Sequence, residues 1–132
     1  KTVQKYSLES YAVNAFTRML FESLDKRIMK LSPRVKKEYK KLYVAYKLDT
    51  NFVDIVFQKQ RLRISINMKF SELNDPNGIC KDISGLGRWG NGDVELFMEH
   101  QDELDQIMEI VKQSYDAQAE GGIDCGLAIN IL

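Results

Sequence analysis

Apolar residues recur at three- and four-residue spacing from Leu8 to Leu31. Leu8, Tyr11, Ala12, Ala15, Phe16, Met19, Leu20, Leu24, Ile28 and Leu31 share one helical face, so the spacing predicts an amphipathic helix over 7–31. Ser7 is placed to cap it, with Ser10 three residues on. Ser32-Pro33 should end it, because the residue before proline avoids helical backbone. The period then changes from 3.6 to 2. LYVAYKL (42–48), NFVDIVFQ (51–58) and RLRISINM (61–68) read as strands. In the last, Leu62, Ile64, Ile66 and Met68 point inward, and Arg61, Arg63, Ser65 and Asn67 outward. Residues 58–60 are short enough for a hairpin turn, and 91–99 read as a turn plus a fourth strand. Helical spacing returns in Leu104, Ile107, Met108, Val111 and Tyr115, which predicts a second helix over 102–118. Asp102, Glu103 and Asp105 lie in its first turn, where the helix dipole favours negative charge. Gly121-Gly122 should break the chain.

Short hairpins make the strands antiparallel. The expected architecture is an α+β two-layer sandwich: helix, four-stranded antiparallel meander, helix, with both helices on one face. Residues 1–118 form one domain, and 119–132 an apolar tail that supplies an extra strand or an interface segment. The other sheet face, carrying Arg61, Arg63 and, if the alternation persists, Lys69, is the expected open binding surface.

Composition narrows the classes. A chain of 132 residues with 44% apolar content holds one ordinary core. Apolar runs are too short for a membrane span, and no signal peptide is evident. Two cysteines and one histidine are too few for a structural zinc site and fit a reducing cytoplasm. No cofactor is implied. The start at Lys1 suggests a piece of something longer.

Net charge is zero, yet it is split. Residues 1–70 carry 16 Lys/Arg against 6 Asp/Glu, and residues 71–132 carry 3 against 13. Residues 26–41 hold eight bases and one acid; they read as a solvated connector or as a phosphate-facing patch.

Catalytic patterns fare poorly. Asp25 with Glu38-Tyr39-Lys40 matches the letters of a metal-dependent nuclease, but Asp25 sits on a helix. His100 lies at a strand end, fitting an exposed boundary residue better than a general base. Asp75, Asp82, Asp93 and Glu95 could gather around a divalent cation, but DPNG (75–78) reads first as a turn. GLGRWG (85–90) has the letters of a dinucleotide loop but leads into a strand, so no helix dipole would face a pyrophosphate.

The stretch KDISGLGRWGNGD (81–93), with its flanks, resembles a bacterial and archaeal domain family of unknown function, often labelled "predicted transport protein". The likeness spans about residues 7–117. It rests on Asp75-Pro76, on the run from Asp82 to Asp93, and on Gln113 to Tyr115. Arg88 stands where family members often carry His, a departure that argues against carrying over a catalytic role for that position. The resemblance implies a C-terminal appendage of restriction- or defence-type nuclease proteins.

Three readings remain. The first is a non-catalytic recognition or assembly module contacting nucleic acid through Arg61, Arg63, Lys69, Arg88 and Trp89, with a nuclease domain in the same chain. The second is a homodimerisation domain using the apolar tail. The third is a small-molecule site lined by Asp82, Trp89, Asp93 and His100.

Overall fold

A computed structural model describes residues 6–85 and 92–124. Among the described residues, six antiparallel strands form one sheet in the order β1-β2-β3-β4-β6-β5. They are β1 (Lys36–Tyr39), β2 (Val44–Lys47), β3 (Asn51–Phe57), β4 (Leu62–Ile66), β5 (Lys81–Asp82) and β6 (Val94–Met98). The helices are α1 (Ala15–Met29) and α2 (Leu104–Asp124). The expected four-stranded meander is therefore the centre of a wider sheet. β1 comes from the presumed basic connector, and β5 opens the glycine-rich stretch.

One apolar core joins Leu20, Leu24 and Ile28 of α1, Ile107, Ile110 and Val111 of α2, and alternate residues of the strands. Register explains which residues those are. Val53 faces Ile66, Ile55 faces Ile64, and Ile64 faces Leu96, so one sheet face presents a continuous apolar layer. Each of these is buried. The apolar area removed from water there is the main favourable term of the fold.

The first helix starts later than its apolar spacing predicts. Residues Leu8–Ser10 form a separate 3-10 turn, in which the Ser7 amide donates to Ser10 Oγ at 3.0 Å. Asn14 is the true cap: its Oδ1 accepts from the Thr17 amide at 2.8 Å, and its own amide donates to Thr17 Oγ1 at 3.1 Å. Tyr11 explains the interruption. Its hydroxyl is shared between the carbonyls of Lys40 at 2.5 Å and Tyr43 at 2.9 Å, and its ring stacks on Phe57 with centroids 5.6 Å apart. A continuous helix would forfeit those tertiary contacts.

Three further expectations change. The β4 alternation stops at Ile66, so Lys69 leaves the sheet and precedes a 3-10 turn at Phe70–Glu72. α2 continues through Gly121 and Gly122 to Asp124. Extending a formed helix is cheap, and each glycine costs only about 1 kcal/mol. The tail expected from 119 thus begins as helix, and residues 125–132 lie outside the described residues. Gly92 has φ +130°, and a Cβ there would lie 2.1 Å from the Ile66 carbonyl oxygen. Only glycine lets the chain entering β6 pass so close to the end of β4.

Candidate functional site

Two regions bring charged side chains together. The first is the helix-free face of the sheet. Pairing aligns Ala45, Asp54, Ser65, Glu95 and Lys81 in one row across five strands. The centre of this face is covered, not open: Ala45 is 0%, Asp54 3% and Glu95 2% exposed. Asn51 Nδ2 donates to Asp54 Oδ1 at 2.9 Å. Arg63 lies in the next row, opposite Val56 and Phe97, with its Nε 4.0 Å from Glu95 Oε1. Its side chain is mostly buried, so Arg63 is not the free phosphate contact that strand alternation suggests. Buried carboxylates need partners, because an isolated ionised group costs several kcal/mol to desolvate. The sequence signal for this row was present: Asp54 and Glu95 interrupt otherwise apolar strand segments.

The second region is the end of the sheet where three connections meet. The β1–β2 loop closes by Lys40 N to Tyr43 O at 2.8 Å, and the β3–β4 hairpin by Gln58 N to Arg61 O at 3.0 Å. Strand register puts both at the end of β3 that carries Phe57, with the β6 exit at Glu99 and His100 beside them. The segment before α1 fastens both loops. Tyr11 holds the first through its hydroxyl, and Asn14 Nδ2 donates to the Lys59 carbonyl at 2.8 Å.

Arg61 is the organised cation at this end. Its Nε donates to Gln58 Oε1 at 2.7 Å. Its guanidinium carbon lies 3.7 Å from the Phe97 ring centroid, and Nη1 is 3.5 Å from Glu99 Oε2. Stacking on an aromatic face and bracing by an amide fix the guanidinium before any ligand arrives. An open cleft of about 1290 Å³ adjoins it, lined by residues 14–16, the 58–61 hairpin, Glu99 and His100.

The expected site residues therefore separate. Arg61 and His100 share the cleft, with Arg63 next along β4. Asp93 and Asp82 lie at the opposite end of β6, where Asp93 is six residues before Glu99, or roughly 20 Å at strand rise. Asp82 is taken up locally: Ser84 N at 3.0 Å and Ser84 Oγ at 2.7 Å both donate to it and hold its carboxyl below the usual range. Lys69 lies beyond the far end of β4. Arg88 and Trp89 lie outside the described residues. Of the expected small-molecule lining Asp82, Trp89, Asp93 and His100, the first and third lie at the far end of β6 from His100, and Trp89 lies outside the described residues.

The remaining chemistry candidates also disperse. Asp25 Oδ1 accepts from Lys37 Nζ at 2.9 Å and from Tyr46 Oη at 2.7 Å, on the helix-covered side of β1. Glu38 projects from the other side, between Lys40 at 3.4 Å and Lys47 at 3.5 Å. The nuclease-like letters thus do not converge. Asp75 accepts from the amides of Ile79 and Cys80 at 3.1 and 2.9 Å, which is turn architecture. Burial and Asp75 push the Cys80 thiol up to about 12, so it is no nucleophile near neutral pH. No group of three or more His, Cys, Asp or Glu gathers among the described residues. Among these residues no helix is long and apolar enough to cross a membrane.

Residues 9–118 match the model of a domain of unknown function (DUF5655), and the chain belongs to that family. The match covers nearly the span on which the sequence resemblance rested. An uncharacterized protein of Haemophilus influenzae is 39% identical over 99 residues, which cover 75% of this chain and 33% of that protein. The chain thus spans about a third of the length of this curated relative. No solved structure matches.

Proposed function

We propose that this DUF5655 domain is a non-catalytic recognition module of a longer protein, contacting nucleic acid through the loop end of its sheet. The observation that carries the reading is the convergence of Lys40, Lys41, Lys59 and Arg61, from two separate hairpin connections, onto one end of the fold. Tyr11 and Asn14 hold both connections in place. Clustered bases gain affinity for phosphates by releasing counterions. Glu38 and Glu99 offset part of that charge, so the affinity is modest and strongly salt-dependent. Any chemistry belongs to companion domains of the longer chain, a nuclease domain being the one implied by the sequence resemblance.

Fluorescence anisotropy with a labelled single strand and its duplex tests the reading. Binding should weaken steeply as salt rises to about 200 mM. Arg61→Ala should lower the affinity and reduce the salt slope by about 1. No binding at low salt, or equal binding by wild type and a Lys40, Lys41, Lys59 and Arg61 quadruple alanine variant, overturns it.

A further inference from the structure

The cleft beside Arg61 has two unlike walls. One is charged, with Lys59 and the braced Arg61 outnumbering Glu99; the other is apolar, with Ala15 and Phe16 from the first turn of α1. Phe16 is 40% exposed, one of four large apolar side chains left so among the described residues and the one that lines this cleft. Arg61 keeps 39% of its side chain exposed, and its contact to Glu99 at 3.5 Å is too long to saturate Nη1. A guanidinium so held can give two parallel N–H bonds to a phosphate without losing further side-chain freedom. A plain anion leaves Phe16 unused, and a plain apolar ligand leaves Arg61 facing nothing. A flat ring carrying a phosphate uses both.

We infer that the cleft takes one nucleotide unit, its phosphate on Arg61 and its base against Phe16. This rests on the nucleic-acid reading for the source of the ligand, not for its chemistry. The unit is supplied either by a nucleic-acid strand or as a free nucleotide. At about 1290 Å³ the cleft is wider than the roughly 300–1,000 Å³ of enclosed small-molecule sites, so it cradles the unit without closing over it. A single nucleotide should therefore bind weakly, at about millimolar Kd. A strand should bind more tightly, because neighbouring phosphates reach Lys40 and Lys41.

Amide chemical shifts of the whole chain, titrated with AMP, with inorganic phosphate and with a short single-stranded oligonucleotide, test the inference. AMP should move the amides of Phe16, Lys59, Arg61 and His100, and phosphate should move the Arg61 side only. Phe16→Ala should weaken AMP about tenfold, in line with about 1–3 kcal/mol for base stacking, and leave phosphate binding unchanged. Arg61→Ala should weaken both. Phe16 is exposed, so an unchanged melting temperature separates lost stacking from lost folding. AMP binding in the cleft with no oligonucleotide binding keeps this inference, makes a free nucleotide the source and removes the nucleic-acid reading. Oligonucleotide binding with no AMP-induced shift at these amides overturns the inference and leaves the broader reading standing. Equal behaviour of AMP and phosphate, insensitive to Phe16→Ala, also overturns it.

Discussion

The two faces of the sheet are made by the same strands and do opposite things. On β4, Ile64 faces the helices and is fully buried, while its neighbours Arg63 and Ser65 face the other way. The helix side is continuous hydrocarbon from Val44 through Ile55 and Ile64 to Leu96. The other side carries Asp54, Ser65 and Glu95 in a row, with Asp54 and Glu95 almost as well buried and Ser65 half-buried. Apolar burial on the first face drives folding without regard to direction. The charges on the second face must be matched one by one, and they add specificity more than stability. That face constrains which neighbours may sit on it.

The largest expected effect breaks the apolar side. Ile64→Ala should lower folding stability by about 2–5 kcal/mol, measured by denaturant unfolding, because the cavity sits between two filled strands and two helices. Glu95→Ala should cost less, about 1–3 kcal/mol, by taking away the carboxylate that lies 4.0 Å from the mostly buried Arg63 Nε. A double-mutant cycle with Arg63→Ala sharpens this. Coupling of about 0.5 kcal/mol or more places the pair in one network, and strict additivity separates them. If Glu95→Ala proved costlier than Ile64→Ala, the division between the faces would fail.

The smallest effect concerns the polar rim of the apolar side. Burial pushes the Tyr11 phenol up from 10.0 to about 12, with Tyr39 adding to the rise. The fold therefore favours the neutral phenol. Its contribution is complete below the unfolded value near 10 and drains away as pH climbs towards 12. Tyr46, more deeply buried beside Asp25, shifts in the same direction. Stability should fall as pH rises from about 10 to about 12, and Tyr11→Phe should flatten that fall while losing the tether to the 40–43 loop. Parallel pH profiles for the two proteins would show that Tyr11 does not titrate with folding.

Much of this was legible in the chain. Period-2 alternation located β3 and β4 to within two residues, and 3.6-residue spacing located the cores of both helices. Asn14 with Thr17 was a readable capping pair, but the longer apolar spacing from Leu8 masked it. β1 was unreadable by composition, since Lys36, Lys37 and Glu38 suit a loop; pairing with β2 made it a strand. The cleft had no local signature, because its residues come from positions 14–16, 58–61 and 99–100.

Periodicity by itself determined which residues are apolar neighbours and where the helices and central strands run, while the short connections made the strands antiparallel. It did so because side-chain direction is a property of local backbone geometry. Only the tertiary structure decided that Asp54 and Glu95 would be buried on the polar face, that Lys69 would fall away from Arg61 and Arg63, and that Arg61 would stack on Phe97. Those outcomes depend on register and on which loops meet, and both are set by contacts between segments far apart in the chain.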